Sequence, residues 1–167
     1  MEEIRNKVAE SGLITIDLEK YYPSTEPMPF NLKNFLFMEM LLKEKEFREA
    51  LDQHDWTQYN KKDVAVYCST DAIVPMWAYM LVASKLSGIA KSIISGTPEE
   101  AFKQLFIENI KQVNAATFEG KRVVVKGCGD KPVPDYAYAA ISIVLLPVVK
   151  SLMYGEPCST VPVFKRK

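Results

Sequence analysis

The chain has 167 residues, 48% of them apolar and 25% charged, and its 21 Lys plus Arg balance 21 Asp plus Glu. That composition excludes a disordered chain, a collagen-like repeat and a coiled coil, and the zero net charge argues against nucleic acid or a membrane surface as partner. The length predicts a single domain over residues 1–167, with a core large enough to fold without disulfides.

The opening Met1-Glu2-Glu3-Ile4-Arg5 is charged and no apolar targeting core follows it. Leu13-Ile14-Thr15-Ile16-Asp17 alternates and predicts a first strand. Tyr21 to Pro29 holds three prolines and reads as a loop. An apolar stripe of Leu32, Phe35, Leu36, Leu42, Phe47 and Leu51 predicts a helix from Asn31 to about Gln53. His54 to Lys62 is a polar connection. Val64 to Cys68 reads as a strand apolar on both faces, as in the middle of a parallel sheet. Pro75 to Ser87 predicts a buried helix stopped by Gly88, and Ser92 to Ser95 a short strand.

Thr97-Pro98-Glu99-Glu100 spells a capping box with proline at the first helical position. The helix it opens runs to about Val113. Lys121 to Gly127 predicts another central strand around Val123-Val124-Val125. Pro134 to Met153 reads as a long apolar helix kinked at Pro147. Its apolar part, Ala139 to Val149, is too short to span a membrane. Gly155 to Pro162 reads as a loop, with an edge strand and the basic end Lys165-Arg166-Lys167 after it. Alternating strands and helices imply right-handed parallel crossovers. The expected fold is α/β: a small three-layer domain with a mostly parallel central sheet and helices on both faces.

Two segments resemble each other. Val64 to Cys68 is followed by Val74-Pro75-Met76-Trp77-Ala78-Tyr79, and Val123 to Cys128 by Val133-Pro134-Asp135-Tyr136-Ala137-Tyr138. Each is a strand, a cysteine, a short loop, Val-Pro and a helix opening aromatic-Ala-Tyr. Cys158-Ser159-Thr160-Val161-Pro162 echoes part of the pattern. Ligands of open α/β sheets bind outside the carboxyl ends of strands, and helix N-termini there favour a thiolate. Cys68 and Cys128 are therefore expected on one rim of one sheet, with the tail delivering Cys158. Asp71 and Asp130 stand close enough in sequence to complete a coordination shell, or else cap their loops. Cysteines also fill cores, and no C-x-x-C occurs, so the spacing matches no standard zinc pattern. The lone His54 precedes its strand and reads as structural; a single histidine excludes His-rich triads and three-histidine zinc sites. No phosphate-loop, dinucleotide or serine-elbow motif is present.

Further segments carry a resemblance: Gly12 to Leu18, His54-Asp55-Trp56, Asp71 to Pro75, Lys126-Gly127-Cys128, Lys131 to Pro134 and Met153 to Pro162. With them the chain resembles, nearly end to end, the domain of unknown function 2480 family. That resemblance implies no particular activity. The residues themselves point first to a metal-binding protein, a carrier or assembly factor. In it Cys68, Cys128 and Cys158 hold zinc or an iron–sulfur cluster, with Asp71 or Asp130 near a fourth position. Two alternatives stand beside it. One is a cysteine-thiolate enzyme, which lacks an obvious general base. The other is a small-anion binding module using Ser69, Thr70, Gly127 and Ser159 in loops at helix N-termini. A cytoplasmic location is expected, where the thiols stay reduced. A protein partner and a homodimer both fit; nucleic acid and membrane do not.

Overall fold

The computed structural model describes residues 12–127 and 129–167. The chain divides into two compact units, a contiguous one of Ser24–Gln104 and a split one that combines Met1–Pro23 with Leu105–Lys167. The α/β class holds. The single central sheet does not: among the described residues the strands form two sheets, each mostly or wholly parallel.

In the contiguous unit, β2 (Met28–Asn31), β3 (Asp63–Tyr67) and β4 (Ser92–Ser95) pair in that order, all parallel. Val64, Ala65 and Val66, which alternate between the two faces of the middle strand β3, are all buried, as in a parallel sheet covered on both faces. Helices α1 (Glu44–Gln53) and α2 (Met76–Leu86) bring Phe47, Leu51, Ala78, Val82 and Leu86 onto Phe30, Val64 and Val66. Asp63 is buried at the start of β3, where it accepts from Ser92 Oγ at 2.6 Å and pairs with Lys91 Nζ at 3.0 Å. These bonds join β3 to β4 at the end away from the cysteine. His54 lies among the rings of Phe30, Phe35, Trp56 and Tyr59, and its Nε2 is 3.1 Å from Tyr59 Oη. Its structural reading fits that place.

In the split unit, β1 (Leu13–Asp17), β5 (Arg122–Lys126), β6 (Ser151–Glu156) and β7 (Ser159–Lys165) pair in that order. The first three are parallel, and β7 closes an antiparallel hairpin on β6. Helix α4 (Asp135–Leu145) contributes buried Ala137, Ile141 and Leu145. Helix α3 (Pro98–Lys111) opens in the contiguous unit and ends in the split one.

Four expected elements change, the first being the expected Gly155–Pro162 loop, which is mostly strand and forms the β6–β7 hairpin. The helix predicted from Asn31 is confined to Glu44–Gln53, because Asn31 ends β2 and its Oδ1 accepts from Lys33 N at 3.1 Å, closing a tight turn over Leu32–Phe35. Part of the expected Tyr21–Pro29 loop is β2, an edge strand that tolerates Pro29. The long C-terminal helix stops at Leu145 rather than kinking, and the apolar residues after Pro147 turn into β6.

The internal repeat is structural and keeps a constant spacing of 59 residues. Lys61 and Gly120 both have positive φ, 56° and 66°. Their amides donate to Ile89 O and Val148 O, both at 2.9 Å. Pro75 and Pro134 both precede a helix, and Gly96 and Gly155 both adopt φ values open mainly to glycine, 137° and 117°. At that spacing Cys68 matches Gly127, and Ser69 matches Cys128. The two cysteines therefore stand one position out of register.

Candidate functional site

Cys68 follows β3 directly, at the carboxyl end of a central strand. It lines a cleft of about 480 Å³ with Val66, Tyr67, Met76, Tyr79, Ser95, Gly96, Thr97 and Glu100. Open α/β sheets bind ligands at this end. The thiol is half-buried and donates to Thr70 O over 3.6 Å. The loop behind it is tied down: Ser69 N donates to Asn31 Oδ1 at 3.1 Å, and Asn31 Nδ2 donates to Ser69 Oγ at 2.7 Å. Ser69 is thereby committed to the end of β2. Burial pushes the Tyr79 phenol above the usual tyrosine range, and the neighbouring Cys68 pushes it further.

The capping box forms as its sequence predicts. Glu100 N donates to Thr97 Oγ1 at 3.3 Å and Thr97 N donates to Glu100 Oε2 at 2.8 Å. The positive end of α3 thus already faces a carboxylate of its own chain, with Glu99 beside it. The cleft wall there suits a neutral or cationic group.

The split unit treats the matching position differently. A side chain added at Gly127 would run into Tyr138 Oη, and into Val133 Cγ2 at 2.8 Å. The tyrosine that matches Tyr79 closes over the strand end, and no side chain fits where Cys68 stands in the other unit.

The expectation that Cys68 and Cys128 end strands of one sheet is overturned, since β3 and β5 belong to different sheets. Cys128 itself lies outside the described residues. Cys158 is exposed in the two-residue turn between Glu156 and Ser159 that joins β6 to β7. Gly155 lies at the end of β6 beside this turn, with φ 117°. Asp71 and Asp130 are both exposed, at matching places in the two loops. Among the described residues no group of three or more His, Cys, Asp or Glu is disposed to hold a metal ion.

Reading by motif passes over a second cleft. In the split unit, about 370 Å³ is lined by Arg122, Lys150, Ser151, Met153, Pro162, Phe164 and Lys165. Arg122 pairs with Ser151 and Ser151 with Lys165, so these three residues share one rung across β5, β6 and β7. Side chains on one rung point to the same face, and neighbouring strands lie about 4.8 Å apart. The signal in the sequence was the strand register, which cannot be read before the partners are known.

The model of the family described as a protein of unknown function, DUF2480, matches residues 2–166. The chain belongs to that family. No curated protein and no solved structure matches it. Membership thus agrees with the resemblance carried by the loop and tail motifs. Among the described residues, no helix is long and apolar enough to cross a membrane.

Proposed function

We propose that the protein binds a small neutral or cationic molecule in the cleft at the carboxyl ends of β3 and β4, and that Cys68 is the group that engages it. The observation that carries this reading is the half-buried thiol in the wall of a cleft of about 480 Å³, beside Tyr79 and the self-capped start of α3. Met76 and Tyr79 offer apolar surface to the body of a ligand, and Cys68 offers a soft donor or a nucleophile. Alkylation of the intact chain, read cysteine by cysteine in the mass spectrometer, tests this. Neutral iodoacetamide should outpace anionic iodoacetate at Cys68 by a wider margin than at exposed Cys158. Glu100→Gln, which keeps an acceptor for Thr97 N, should narrow that margin. A Cys68 inert to both reagents means the cleft is closed and sinks the reading. Uptake of one zinc per chain that protects Cys68, Cys128 and Cys158 together would put a three-cysteine metal centre in its place.

A second reading, binding of an anion, is favoured by the cationic rung of Arg122 and Lys165 around Ser151. Titration with 1-naphthyl phosphate, followed by its fluorescence, should saturate and lose affinity in Lys165→Gln. The uncharged 1-naphthol binding equally well would dispose of this second reading.

A further inference from the structure

The contiguous unit presents a cluster of large apolar side chains to solvent. Met38, Met40, Leu41, Ile73, Met76 and Met80 are each between 55% and 89% exposed. The backbone joins the two groups: Leu41 forms a parallel bridge to Ile73, which leads into α2, where Met76 and Met80 lie four residues apart on one face. The turn that carries the first three is strained. Met38 and Glu39 both sit in the left-handed region, at φ 50° and 59°, where residues other than glycine, asparagine and aspartate are uncommon. Phe37 and Leu41 clamp this turn through reciprocal backbone bonds of 2.8 and 3.1 Å. A turn serving only to reverse the chain would use the residues that such angles favour. Here the chain holds two methionines outward instead, and exposed patches of this kind mark interaction surfaces.

We infer that this patch is the face on which two copies of the chain associate about a twofold axis. Two observations select a second copy as occupant. The six side chains expose on the order of 800 Å², about what one partner contributes to an interface of standard size. The charges at the rim are balanced in sign: Lys33 pairs with Glu39 at 3.1 Å, and Lys43, which lies 3.4 Å over the Phe37 ring, pairs with Glu46 at 3.3 Å. In a twofold interface the patch meets itself, so charges of one sign would repel, whereas charges already paired within each copy do not. A lipid surface calls for a cationic rim instead.

Sedimentation velocity on the full chain over a range of micromolar concentrations tests the inference. The wild-type chain should dimerise. Ile73→Lys and Met40→Glu, two changes in different elements of the patch, should each weaken the dimer by about tenfold or more while the circular dichroism spectrum stays unchanged. If one variant fails to fold, the other decides. Val163→Lys, at an exposed apolar position of the split unit, should leave the dimer intact. A wild-type monomer at every concentration, a dimer that survives both patch variants, a dimer equally weakened by Val163→Lys, or a monomer that binds neutral lipid vesicles overturns the inference.

Discussion

Individual side chains carry contrasts that single substitutions can expose. Asp63 is the buried acid that holds Ser92 and Lys91. Asp63→Ala removes both bonds, but Lys91 is more than half exposed and finds water, so the expected loss is about 1–3 kcal/mol, read by urea unfolding. Gly127→Ala should cost a similar amount, about 1–3 kcal/mol of overpacking, because Tyr138 and Val133 occupy the space. Cys68→Ala, at the matching position beside an open cleft, should cost less than Gly127→Ala in the same assay. Tyr79 provides a pH-dependent signal. Its folded-state pKa is raised by burial first and by Cys68 second, so the folded chain keeps a proton that the unfolded chain releases. The stability this supplies is fully present below the ordinary tyrosine pKa of about 10 and is lost as the pH rises through the folded value. The difference in alkaline tyrosinate absorbance between wild type and Tyr79→Phe should therefore titrate above free tyrosine. Cys68→Ser should bring it part of the way back, since burial remains.

Elements were legible in the sequence where their signals are local, and were lost where they depend on a distant partner. The start of α3 was readable because Thr97 and Glu100 bond each other across a single turn. Thr97→Ala should lower the stability by about 1 kcal/mol, measured by thermal unfolding. The helix expected from Asn31 does not form there: Leu32, Phe35 and Leu36 have helical spacing, but β2 exists only because β3 pairs beside it, which no local signal shows. The run from Pro134 to Met153 is mostly apolar, which a buried helix and a buried strand share; Pro147, in the connection between Leu145 and Ser151, is the one local sign that α4 gives way to β6. The repeat was visible in its letters, but matching cysteine to cysteine shifted the register by one. Counting from Val74-Pro75 and Val133-Pro134 sets it right, because the backbone bonds at Lys61 and Gly120 fall at the same interval. At the candidate site, Cys68 could be picked out as the end of an apolar strand. Its neighbours Ser95 and Thr97 come from the next strand and helix in the chain, and only pairing brings them to it.

Across the whole molecule, the choice between one sheet and two was beyond the sequence. Parallel strands carry no local mark of their partner, and an apolar central strand fits any parallel sheet. The structure assigns β3 to the middle of one sheet and β5 to an interior place in the other. Native-state hydrogen exchange should therefore show two separate groups of slow amides, at Val64–Val66 and at Val123–Val125. A single slow group confined to one of these strands would contradict the two-sheet arrangement.

The path of the chain through its two units also bears on how the molecule emerges during synthesis. The contiguous unit has all of its strands within one stretch and can close once Ser95 has left the ribosome. By contrast, β1 leaves first but pairs with β5, more than a hundred residues later. During that interval Leu13, Ile14 and Ile16 wait on a strand without its neighbour, through many seconds of translation at the usual rates of roughly 5–20 residues per second. A nascent chain stalled so that Gln104 has emerged from the ribosome while β5 has not should hence resist protease across β2 to β4 while remaining cleavable near β1. The chain that begins the fold is among the last parts to be secured.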